Sequence, residues 1–140
     1  MSRTVRYALL MGLSVMFADA PANAGNQVVL KANEGYDFVK HVVTKPGDAN
    51  ADVSFAIAKP GPVGALAAKK IKNLGQGLPD AAAFMGVQQW PGTVANPVPG
   101  YYAVQGHDGR SIYLVELQSF DNPGSQAANW HMSLTYERLQ

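Results

Sequence analysis

The chain has 140 residues, 47% of them hydrophobic and only 15% charged, with a formal net charge of +1. That is one domain's length, and it is apolar enough to bury a core, which argues against disorder. The absence of cysteine rules out disulfides, thiolate chemistry and Cys-ligated metal, and the balanced charge argues against a dedicated nucleic-acid binder.

The first 24 residues read as a cleaved export signal. Arg3 and Arg6 form a positive start, Tyr7 to Ala18 is apolar, and Ala22-Asn23-Ala24 is a small-x-small cleavage site. The apolar run is broken at Asp19 and Pro21, short of the about 20 residues a membrane span needs. No Cys follows it to carry a lipid. The expected mature chain is therefore a single domain over residues 25–140, periplasmic or secreted from a bacterium, with no stable membrane insertion. Without Arg3, Arg6 and Asp19 it keeps nine basic and nine acidic residues. Long-range steering of a charged partner is then not indicated.

Glycine and proline cluster between apolar runs, as in a β-rich domain with many turns. Residues 27–32 and 38–44 read as strands, and Lys45-Pro46-Gly47-Asp48 as a turn. The alternating oxygen side chains of 48–52 resemble the start of a calcium loop. That loop wants Gly sixth and Glu twelfth, where this chain has Val53 and Lys59, so an Asx-rich turn is the better reading. Residues 52–58 alternate, with Val53, Phe55 and Ile57 on one face. From Val63 to Leu74 the apolar residues recur at three and four, which predicts one short helix ended by Gly75. Residues 76–100 carry a helical-turn signal at Pro79-Asp80, an ambiguous run from Phe84 to Trp90, and rigid proline-rich peptide around Asn96–Gly100.

Asp108-Gly109 between two apolar runs predicts a hairpin with a two-residue turn. Its register sets His107 against Arg110, Gln105 against Ile112, Ala103 against Leu114 and Tyr101 against Glu116. The other side, with Tyr102, Val104, Tyr113, Val115 and Leu117, is expected to be core. Residues 128–138 alternate cleanly, with Trp130, Met132, Leu134 and Tyr136 on one face. The expected fold is mainly β: a small antiparallel β-sandwich or curled sheet with one short helix.

The chain has no G-x-S-x-G elbow, no H-E-x-x-H, no G-x-G-x-x-G and no phosphate loop. With no clustered ionisable residues, it reads as a binding or accessory protein of the cell envelope, without catalysis, cofactor or metal. Its partner is a protein or a carbohydrate, since Tyr101, Trp90, Trp130 and Tyr136 suit either gripping peptide or stacking on sugar. The candidate binding face is Tyr101, Gln105, His107, Arg110 and Glu116. A rival reading is a small periplasmic or secreted hydrolase using His107, Glu116 and His131, with Ser111 or Ser133 as weak candidates for a hydroxyl nucleophile. A third is a structural envelope subunit that packs through strand edges. His41, inside a Val-rich run, reads as an ordinary strand residue.

Overall fold

The computed structural model describes residues 27–58 and 62–140. The expected export signal, residues 1–24, lies outside them. Ten strands form two five-stranded antiparallel sheets, neither closed into a barrel. They are β1 (Val28–Lys31), β2 (Gly35–Asp37), β3 (Val42–Thr44), β4 (Val53–Ala58), β5 (Val63–Ala68), β6 (Lys70–Gly75), β7 (Thr93–Ala95), β8 (Gly100–Gln105), β9 (Ile112–Asp121) and β10 (His131–Arg138). The first sheet runs β1-β10-β9-β8-β6 and the second β3-β2-β4-β5-β7. One core lies between them, with Leu30, Tyr102, Val104, Tyr113, Val115, Met132 and Leu134 from the first sheet meeting Val53, Phe55 and Leu66 from the second.

The β8–β9 register is the expected one, with Gln105 opposite Ile112, Ala103 opposite Leu114 and Tyr101 opposite Glu116. The turn differs. It is a four-residue loop, His107 to Arg110, in which Gly106 N donates to Ser111 O and Gly109 N to Gly106 O. Only Gly109 has positive φ there. Asp108 stays out of the left-handed region because its carboxylate accepts from the amides of Arg110 and Ser111 and from the Ser111 hydroxyl. Those bonds, the hydroxyl first, hold the Asp108 carboxyl well below the usual carboxylate range.

The expected helix over 63–74 is not formed. β5 and β6 occupy that stretch and bend from the second sheet to the first at Lys69. Small residues made the three-four spacing uninformative, and pairing with β4 and β7 overrides weak helix propensity. Among the described residues the only helical pieces are short 3-10 turns, at Ala81–Phe84, Val87–Gln89 and Ala127–Asn129. The bend is held by Ala68 N donating to Gly92 O and Ile71 N to Pro91 O. Gly64 is needed in β5, since a Cβ there would come 2.4 Å from the Phe120 ring.

Phe120 reaches the core through a bulge. Ser133 pairs with Ser119 but Leu134 pairs with Leu117, so Gln118 is skipped and the inward face of β9 changes from odd to even positions. The far side of the first sheet is also partly covered. Trp90 packs there on Ala103 and Ile112, with Leu74, Phe84 and Val87 around them. The Tyr102 hydroxyl donates to Val98 O (2.6 Å) and pins the proline-rich loop.

Candidate functional site

The predicted binding residues are spread along the β8–β9 hairpin and differ in exposure. Gln105 is buried and its side-chain amide donates to Gly109 O (2.9 Å), inside the turn. Arg110 is exposed at the hairpin tip. Tyr101 and Glu116 are half-buried and face each other farther along the hairpin. The rival set is also dispersed. His131 lies opposite Asp121, with its Nε2 2.9 Å from the Asp121 carboxylate. From Asp121 to the hairpin tip is nine strand steps, roughly 30 Å. His107, Glu116 and His131 therefore do not converge. The Ser111 hydroxyl is bonded to Asp108, at 2.6 Å.

What the fold does assemble is a junction of Asp37, Asp52 and His107, whose ligand-type atoms lie within 4.8 Å of one another. Asp52 precedes β4 and is only 1% exposed. Its Oδ2 accepts from Phe38 N at 2.6 Å. Its Oδ1 accepts from His107 N and from the His107 ring Nδ1, both at 2.8 Å. The carboxylate thus ties the turn after β2, in the second sheet, to the β8–β9 hairpin of the first. Because Asp52 is an acceptor, the pattern assigns the ring proton to Nδ1. The other ring nitrogen, Nε2, belongs to a side chain that is 26% exposed.

Asp37 completes the turn. Its Oδ1 accepts from Val39 N (2.9 Å) and Lys40 N (3.0 Å), and its carbonyl accepts from His41 N (2.8 Å). His41 adopts φ 58 in this turn, not the expected extended strand. Its ring stacks on Tyr136 and hydrogen-bonds the Tyr136 hydroxyl. Below the turn, Phe38 stacks on Tyr136 with centroids 4.2 Å apart and packs on Tyr113 at 4.7 Å. Burial, then a hydrogen bond with Tyr36, pushes the Tyr136 phenol well above its ordinary range. Burial and then the Asp52 charge raise Tyr113. Both oxygens of Asp52 already hold N–H donors. The junction is therefore built as a hydrogen-bonded clamp, and a cation would have to displace those donors.

The clamp presents an apolar surface. Val39 is 63% exposed, and Val42 and Val43 are each 47% exposed. β3 is an edge strand, paired only with β2 among the described strands. Successive side chains of a strand point to opposite faces. Val42 and Val43 are therefore exposed on opposite faces of β3, next to its open edge, while Thr44 is buried.

Sequence reasoning missed Asp37, Asp52 and this edge. The local signal was present, since Asp48 does form an Asx turn, accepting from Asn50 N at 2.8 Å. Nothing local pairs Asp52 with a histidine 55 positions away. The two candidate sugar-stacking tryptophans are 5% exposed, and their indoles donate to Met85 O and Pro123 O. No helix among the described residues is long and apolar enough to cross a membrane. Comparisons with family models, with curated proteins and with solved structures find no match to this chain.

Proposed function

We propose that this chain is a small exported binding or accessory protein of the cell envelope, and that it holds a protein partner at the β2–β3 edge. The observation that carries this reading is the exposed valine set Val39, Val42 and Val43 on a turn fixed by two buried carboxylates. Open strand edges are normally blunted by lysine and proline. Lys40, Lys45 and Pro46 stand at the ends of β3, yet the valines between them remain uncovered. A pre-set turn lowers the ordering cost of binding. Burial of Trp90, Trp130 and Tyr136 leaves only half-buried Tyr101 of the four candidate sugar-stacking rings, which favours protein over carbohydrate.

The test is a photo-reactive residue at position 39 or 42 in the expressed full chain. A discrete adduct in the envelope fraction is expected, and it should vanish from position 29 on the other sheet. Only uncrosslinked monomer, at an unchanged melting point, would count against the reading. Export is tested by intact mass, which should begin at Gly25 or within a few residues of it.

A second reading, a small hydrolase, is favoured by the oriented Asp52–His107 pair. Here the His107 Nε2 would take a proton from an attacking water while Asp52 holds the imidazole. Ester and phosphodiester turnover lost in His107→Ala, with the fold intact, would favour it over binding.

A further inference from the structure

We infer that the partner taken up at this edge is an extended segment alternating acidic and β-branched apolar residues, added to the second sheet beside β3. The inference rests on the binding reading above. Strand addition uses main-chain hydrogen bonds for affinity and alternate side chains for specificity. β3 offers both, with a strand-free outer edge and valines open on each face.

Charge decides the class of partner. Lys40 and Lys45 are exposed at the two ends of β3. Between Phe38 and Gly47 there is no acidic residue. The carboxylate of the preceding Asp37 is buried and turned onto the amides of Val39 and Lys40. Asp48, exposed at the close of the turn that begins at Lys45, turns its carboxylate onto Asn50 N. Across residues 38–47 the edge is thus apolar in the middle and cationic at its ends. Antiparallel pairing with a second copy of β3, with Val42 against Val43, would bring Lys45 of each copy toward the turn that carries Lys40 of the other. Like charges opposite each other destabilise a strand pair. An acidic strand meets no such barrier and places carboxylates by both lysines.

The experiment is an NMR titration of the labelled protein with a six-residue peptide alternating Glu and Val, beside a Lys-Val counterpart. The Glu-Val peptide should shift the amides of residues 39–45, and the Lys-Val peptide should not. Reversing both charges (Lys40→Glu with Lys45→Glu) should weaken the Glu-Val peptide about tenfold and invert the preference. Equal binding of both peptides at β3, unaffected by the reversal, would overturn the acidic class and leave the binding reading standing. Shifts at β3 that grow with protein concentration alone would overturn it in favour of a second copy. No shift with either peptide, alongside a positive crosslink at position 39 or 42, would overturn strand addition. No shift and no crosslink would bring down the binding reading itself.

Discussion

Replacing Asp52 with alanine should be among the most damaging single changes in this protein. The substitution removes the acceptor for Phe38 N, His107 N and His107 Nδ1 at once. A buried donor left without a partner costs about 1–3 kcal/mol. Three such donors would sum to about 3–9 kcal/mol. Because the two backbone amides can regain some water once the turn loosens, the expected total is about 3–5 kcal/mol. Domains of this class are stable by about 5–15 kcal/mol, so the loss is large. For a domain of this length it corresponds to a fall in Tm of roughly 12–20 °C. Asp52→Asn keeps the shape but turns an NH2 group toward one donor, and should cost about half as much. His107→Ala removes one bond from a side chain that is 26% exposed, and should cost about 1 kcal/mol. Thermal melts followed by circular dichroism give the ranking. Hydrogen exchange at the Phe38 and His107 amides shows whether the junction opens. An Asp52→Ala protein as stable as His107→Ala, with both amides still protected, would refute the clamp.

Three other expectations follow from the packing. Tyr113→Ala should cost roughly 3–5 kcal/mol by opening a cavity beside Phe38, whereas Tyr101→Ala and Glu116→Ala, on the half-buried face, should each cost about 1 kcal/mol; equal melting points would mean the β9 faces are misassigned. Gly64→Ala should cost about 1–3 kcal/mol, because Phe120 is boxed in by Phe55 and Trp130 and cannot swing clear of the new methyl; an unchanged Tm would show that the ring moves freely. Burial raises Tyr102, Tyr113 and Tyr136, so the folded state resists their ionisation while the unfolded chain does not. Stability should therefore be full below about pH 10 and fall as pH rises beyond it, with ultraviolet titration showing three phenols ionising late; all tyrosines ionising together near pH 10, without unfolding, would contradict this.

Much of the fold was legible locally. The β8–β9 register follows from a loop of even length between alternating runs, and the same register arises from a two-residue turn or the four-residue loop that forms. For that reason the turn type and the expected pairing of His107 with Arg110 were misread, while the pairs from Tyr101–Glu116 to Gln105–Ile112 were right. The inward set Trp130, Met132, Leu134 and Tyr136 was readable because a strand buried on one face must alternate with period two. The stretch from Val63 to Leu74 misled for the opposite reason. Its glycine and alanines satisfy almost any period, and only pairing with β4, β7 and β8 makes it two strands.

Other features had no local trace. The bulge at Gln118 that brings Phe120 into the core depends on how β9 meets β10. The Asp52–His107 bond depends on two turns, one from each sheet, closing over the same end of the core. By itself the amino-acid sequence determined which residues of β4 and of β8 to β10 alternate and that the domain is mainly β, because these rest on contacts between near neighbours. Only the tertiary structure decided which carboxylates are buried, which histidine they orient and which valines stay uncovered. Burial and exposure are set by what lies across the sheet, and that comes from residues distant in the chain.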